Sequence, residues 1–310
     1  MSEIRDMLEG LYEKYNRHEL IAPDPLQWVY KFNRRADREI AGFLAAALAY
    51  GRVEQINNDL GKLFGVMGRR PAEYAGNFAK ADRKALAGFK HRFTTGEDIA
   101  DLLEVFAVML GRWGSLEKCF VSSAERSGLS VEGEKRGESS GQGEERRAMA
   151  QHGQEYLPIL RGLERFCGQV GQIRQEMGKE FTGGLRYLVT NPADGSACKR
   201  MNLFLRWMVR KDDVDAGLWK GIDRAKLVVP VDVHIARLTR ILGFHSRATT
   251  SIWTAMDITA GFAAANPSDP VKYDFALSRI GIVEGCTGKA GRYCSGCELV
   301  RWCGRKNSKH

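Results

Sequence analysis

A chain of 310 residues with 44% hydrophobic content can bury a sizeable core, in one large domain or two modest ones. Its net charge of +9 fits a nucleic-acid or anionic-surface partner. No apolar run approaches the ~18 residues of a membrane span, the start MSEIRDMLEGLYEKYN is acidic and amphipathic rather than a signal peptide, and seven cysteines, four of them clustered, suit a reducing compartment, so the expected location is the cytoplasm.

In chain order, almost every periodic stretch reads helical. Ile40, Phe43, Leu44, Ala47 and Leu48 recur at i, i+3, i+4, i+7, i+8. Ile56, Leu60, Leu63, Phe64 and Met67 keep similar spacing, as do Ile99, Leu102, Leu103, Phe106 and Met109. A stretch rich in Gly, Ser and Glu at 123–153 lacks large apolar residues and is expected to be a disordered insertion between two helices of one domain. Helical spacing resumes at Leu157, Leu160, Leu163 and Phe166, then at Met201, Phe204, Leu205 and Met208. Further faces follow at Ile235, Leu238, Ile241 and Leu242, at Ile252, Met256 and Ile258, and at Ala276, Leu277, Ile280 and Val283. No sustained period-2 alternation occurs, so the expected class is all-α.

Two segments carry residues suited to chemistry. In LVVPVDVHIARLTRILGF, Pro230 biases the chain towards an extended conformation, and Asp232 stands where a helix begins. Two roles stay open for it: a helix cap, or a carboxylate fixed by capping and presented to a substrate. Upstream, a loop with Pro192, Asp194 and Gly195 leads into a helix whose first turn holds Lys199 and Arg200. Lys199 is either a solvated cation or, if partly buried, an amine with lowered pKa able to act as a nucleophile. Cys119, Cys167 and Cys198 read as core thiols, and His234 as structural, with no second histidine at ligand spacing.

The chain then closes on Cys286-x7-Cys294-x2-Cys297-x5-Cys303. Four thiolates so close together need a partner: a [4Fe–4S] cluster or a structural zinc. A redox pair of Cys294 and Cys297 would leave Cys286 and Cys303 unexplained. Lys289, Arg292, Arg301, Arg305 and Lys306 surround the quartet with positive charge, suiting an acidic polymer as neighbour.

VPVDVHIARLTRILGF resembles the helix-hairpin-helix DNA glycosylase superfamily, in which an aspartate in a V-D-x-H context opens a helix ending in a leucine–glycine pair. The cysteine loop is similar to that of endonuclease III and the adenine-mismatch glycosylases, C-x6-C-x2-C-x5-C, and follows the aspartate segment in the same order. GSACKRMN resembles the family's hairpin, G-x-G-x-K-x-x-N, which aligns Gly195 with the first glycine, Ala197 with the second, Lys199 with the lysine nucleophile of bifunctional members and Asn202 with the following asparagine. DREIAGFLAAALAYGRVEQINNDLGKLF resembles the early helix and the strand-probing turn, with Tyr50 matching the residue inserted into the duplex gap.

The resemblance implies a divergent base-excision glycosylase, possessing or lacking AP lyase activity, acting on duplex DNA with a damaged or mismatched base or an abasic site. Its alternative is a non-catalytic, iron–sulfur-containing nucleic-acid-binding protein of the same fold. Asp232 and Lys199 would be catalytic, the four cysteines would hold the cluster, and the expected oligomeric state is a monomer. Phosphate contacts would come from Gly195, Ala197, Arg200, Arg237 and Arg240, with Arg206 and Arg210 as further candidates. The implied layout is an N-terminal helix (1–36) packed on a C-terminal subdomain (227–310, cluster loop 286–303), with a central subdomain (37–226) that carries a degenerate hairpin and helix at 191–210.

Three departures from the family stand out. Ala197 replaces the second hairpin glycine, where a methyl would obstruct a phosphate. The longer gap between Lys199 and Asp232 implies an insertion near 210–226, with Asp212, Asp213, Asp215, Trp219 and Lys220, beside the base pocket. The first cysteine gap is one residue longer than in endonuclease III.

Overall fold

The computed structural model describes residues 2–125 and 156–303. The insertion expected at 123–153 lies outside them, except for three positions at the end of a helix, and so do Arg305 and Lys306. The described residues are all-α apart from one two-stranded hairpin. None of their helices is long and apolar enough to cross a membrane.

The first part of the chain forms α1 (Ser2–Tyr15), α2 (Gln27–Tyr30), α3 (Arg35–Ala47), α4 (Val53–Met67), α5 (Pro71–Gly76) and α6 (Arg83–Leu86). Strands β1 (Lys90–His91) and β2 (Thr94–Thr95) make the hairpin, and α7 (Gly96–Trp113) and α8 (Leu116–Glu125) follow. After the undescribed stretch come α9 (Leu157–Glu176), α10 (Gly183–Leu188), α11 (Lys199–Val209), α12 (Val233–Ile241), α13 (Ile252–Ala265) and α14 (Asp274–Ile282).

Helices this short are marginal in isolation, so packed apolar faces hold them. In α3 the predicted face, Ile40, Phe43, Leu44 and Ala47, is almost fully buried and meets α11. Phe43 stacks edge-on to Phe204 of α11 and Phe106 of α7. Each such side chain contributes roughly 1.5–3 kcal/mol. Beside this body, α12 packs on α14, and α1 packs on α13 and α14. One predicted position differs: Val283 lies beyond the end of α14 and is 61% exposed.

Buried carboxylates take the N–H groups at helix starts. Glu39 of α3 accepts from Leu116 and Glu117 N–H at the start of α8 and from Trp219 Nε1 at 2.7 Å. Asp37 accepts from Ala72 N–H in α5. These bonds satisfy donors that would otherwise be orphaned inside the protein.

The 210–226 stretch was expected beside the base pocket, and the structure corrects this. It is a strap across the back of α11. Trp219 is 1% exposed and packs on Phe204 and Phe120. Asp212 accepts from Tyr12 Oη and Asn16 Nδ2 of the α1 segment. Its carboxylates pair with arginines that looked like phosphate contacts. Arg210 bonds Asp212, Asp215 and Asp269, and Arg206 bonds Asp215 and Asp274. Both arginines are at most 3% exposed, so neither is a surface charge.

Candidate active site and cysteine loop

Asp232 caps α12. Its extended backbone (φ −105°, ψ −176°) turns Oδ1 onto the N–H groups of His234 and Ile235, both at 2.8 Å. Oδ2 has no hydrogen-bond partner among the described residues. The cap therefore fixes the side chain with one oxygen and leaves the other free. Upstream, Thr259 Oγ1 accepts from Val229 N–H at 3.0 Å and holds the extended approach.

Lys199 opens α11. The preceding loop turns at Gly195 (φ +75°) and again at Cys198, which adopts φ +46°. Ser196 bridges to Ser251, and Ile252 N–H donates to Gly195 O, so the loop is pinned to the start of α13. Ala197 is 7% exposed, and its carbonyl accepts from Asn202 Nδ2 at 3.0 Å. Its methyl belongs to the core, against the expectation that it would stand before the loop's N–H groups. Cys198 is buried, its Sγ–H donates to Thr190 O, and burial raises its pKa to about 11, as suits a core thiol.

Lys199 and Asp232 line one cleft of about 840 Å³. Its walls are the Tyr50–Val53 turn, the starts of α11 and α12, the 23–25 loop and the inner face of α14. Lys199 Nζ donates to Ala49 O at 3.4 Å. No residue of the 210–226 strap lines the cleft.

Tyr50 also lines the cleft, but it is anchored. Its hydroxyl donates to His91 O at 2.9 Å and sits 2.8 Å from Thr94 Oγ1. The fully buried His91 bonds Asp59 and Tyr50 O, bracing the turn. Arg200 is 8% exposed, its guanidinium lies over the Tyr50 and Tyr187 rings, and it donates to Ala47 O and Tyr187 O. It shapes the wall from within and is not a surface charge.

Beside Tyr50, sequence reading missed Phe93. It sits at the tip of the β1–β2 hairpin, 69% exposed, next to Arg92, a non-glycine residue at φ +50°. Its ring lies 6.2 Å from that of Tyr187, at the cleft rim. Strands of two residues give no periodicity to detect.

The four cysteines of the loop are half-buried, free of disulfides, and together line a cavity of about 150 Å³. No three His, Cys, Asp or Glu side chains among the described residues are grouped so as to hold a metal ion. Burial raises the pKa of Cys297, and Glu298, Cys286 and Cys294 push it further up. Thiolates gathered this way repel one another, and a cation between them would offset the repulsion. Arg237 is half-buried. Its Nη2 donates to Cys286 O and lies 3.0 Å from His234 Nδ1, which joins the loop to the helix that Asp232 caps. Arg240 is exposed and donates to Arg247 O.

No curated protein and no solved structure matches the chain. Residues 24–283 match the family described as "Protein of unknown function (DUF2400)". The matched span includes every cleft residue named above except Pro23, which lies in the 23–25 loop, and it stops short of the cysteine quartet. As it covers well over half of the sequence, the chain belongs to that family.

Proposed function

We propose that this protein is a base-excision glycosylase acting on duplex DNA, with Asp232 as the catalytic carboxylate and Lys199 as the amine that forms a covalent adduct. The observation that carries this reading is that both line one cleft, from the starts of two different helices. The cleft has the volume for a nucleoside, within the usual range of ligand sites. A base buried in the duplex stack is reached only by extrusion, and the exposed Phe93, in contact with Tyr187, is the side chain we assign to the gap it leaves.

The free Oδ2 of Asp232 opposes positive charge developing on the sugar as the C1′–N bond breaks and the base leaves with the bonding pair. A proton passes from the Lys199 ammonium to Asp232, and the freed amine attacks C1′. Ring opening yields a Schiff base. Loss of a C2′ proton then expels the 3′ phosphate and cuts the strand.

Cys286, Cys294, Cys297 and Cys303 would hold a [4Fe–4S] cluster. A zinc ion needs four sulfurs at about 2.3 Å from one point. All four cysteines line one cavity, the spacing resembles that of iron–sulfur glycosylases, and zinc is the rival metal. The cluster, when bound, neutralises the thiolates and fixes the loop. Duplex DNA is the proposed partner, the monomer the working unit, and the cytoplasm the location.

The bond from Lys199 to Ala49 O keeps the amine occupied in this state, and it favours a second reading, a nucleic-acid-binding protein without lyase chemistry. Borohydride trapping on an abasic duplex separates the two. A covalent adduct that disappears in Lys199→Gln supports the lyase. Tight binding with no adduct and no excision supports the binding protein.

A further inference from the structure

The end wall of the cleft carries polar atoms that the protein does not satisfy. Arg279 of α14 is 3% exposed and lines the cleft. Its Nε and Nη2 have no hydrogen-bond acceptor among the described residues. The nearest carboxylate, Asp24 Oδ2, lies 3.5 Å from Nη2. Arg206 Nη2 is likewise unsatisfied, as is Asp274 Oδ1, which approaches Arg206 Nη1 to 2.7 Å without hydrogen-bonding geometry. All of these atoms belong to residues lining this one cleft. Buried N–H donors without partners are rare and call for a ligand or ordered water.

The geometry is specific. Nε–H and Nη2–H lie side by side on one edge of the guanidinium, the fork that holds two neighbouring acceptors at once. The guanidinium lies over the Phe275 ring at 3.9 Å, so the fork is held flat. Asp24 lies nearest to it, and Asp274 and Asp232 also bear on its charge. Lys199, Arg200 and Arg206 line the same cleft and balance these carboxylates, so shape rather than net charge selects the ligand, and the flat fork fits a planar group with two neighbouring acceptors. Burial pushes Asp274 up to about 7, against the pull of Arg206, so its carboxyl also accepts or donates near neutrality.

We propose that Arg279 reads the extruded base in this cleft, and that the base is a 6-oxopurine, whose O6 and N7 are two adjacent acceptors on one edge. This rests on the glycosylase reading above and adds to it the class of base. Adenine presents an amino donor where the fork needs an acceptor. Thymine and uracil have no adjacent acceptor pair, because N3–H separates O2 from O4, and cytosine has one only at O2 and N3, on its pairing edge. Hypoxanthine, the product of adenine deamination, is the simplest damaged base that fits.

Four otherwise identical duplexes test this by fluorescence anisotropy with the full-length protein. At one position opposite thymine they carry hypoxanthine, 7-deazahypoxanthine, adenine or a tetrahydrofuran abasic analogue. Hypoxanthine and its 7-deaza form leave O6 in place and differ at N7, so their ratio isolates the fork. Wild-type protein should prefer hypoxanthine over the 7-deaza base by about ten- to a hundredfold, the discrimination of a bidentate arginine contact. Arg279→Ala and Arg279→Lys should both bring hypoxanthine down to the 7-deaza level. Equal binding of those two bases by wild type, with the tetrahydrofuran duplex held tightly, overturns the role of Arg279 and leaves the glycosylase reading standing. No preference for any of the three altered duplexes over adenine overturns both. If the Arg279 variants do not fold, the wild-type comparison decides alone.

Discussion

Arg210 and Arg279 are buried alike, at 2% and 3% exposure, but the protein surrounds them differently. Arg210 sits among Asp212, Asp215 and Asp269, with Nη2 to Asp212 at 2.9 Å and Nε to Asp269 at 2.8 Å. Arg279 has one loose carboxylate and two unsatisfied donors. Burying a guanidinium is costly in both places. Behind α11 the cost is offset by partners within the chain. At the cleft it is left standing, which makes sense if a ligand supplies what is missing.

The largest expected effect is at the cleft. Asp232→Asn keeps an N-cap oxygen and removes the carboxylate charge. Single-turnover excision should fall by a factor of at least ~100, while duplex affinity changes little. Unchanged activity on every cleavable lesion would sink the glycosylase reading.

Behind α11 the effect should be on folding. Arg210→Ala leaves Asp269 and Asp212 without their cation and Asp215 with Arg206 alone, and should cost about 3–5 kcal/mol in denaturant unfolding. Arg279→Ala, which breaks no saturated pair, should cost under about 1 kcal/mol. Equal losses would erase the distinction between the two arginines.

Acid sharpens the same contrast. Burial works against the charge on Asp212, but Arg210 and the N–H groups of Asp215 and Val214 hold its pKa at about 2. A carboxylate depressed from 3.8 stabilises the fold above pH ~4 and loses that contribution as pH falls towards 2. Unfolding free energy should drop over this window in wild type and less steeply in Asp212→Asn.

The smallest effect concerns the hairpin tip. Phe93→Ala should leave Tm nearly unchanged, because the ring is mostly exposed, and should weaken binding to an abasic-site duplex by about tenfold, the scale of one stacked aromatic. A drop in Tm with unchanged affinity would make Phe93 a packing residue.

Much of the frame was legible in sequence. Ile40, Phe43, Leu44 and Ala47 announce α3 by spacing alone, and Pro230, Asp232 and Gly243 announce both ends of α12. The strap was misread because Asp212 and Asp215 look like solvated residues until their partners are known. Arg206 and Arg210 answer to Asp269 and Asp274, some sixty residues on, and no local pattern joins them. Arg279 escaped notice for the same reason. An orphaned donor is a property of three-dimensional surroundings, not of the letters beside it.

The binding of α1 to the far end of the chain has a consequence for synthesis. Glu9 bonds Lys272 and Tyr273, Lys14 bonds Glu298 at 2.9 Å, and Tyr15 Oη bonds Glu284 at 2.7 Å. This helix leaves the ribosome long before those partners exist. At roughly 5–20 residues per second, the delay is on the order of tens of seconds. Throughout that interval Leu8 and Leu11 are unshielded, so the nascent chain carries an apolar segment, marginal as a helix by itself, that a holdase chaperone is suited to cover until translation reaches its dock.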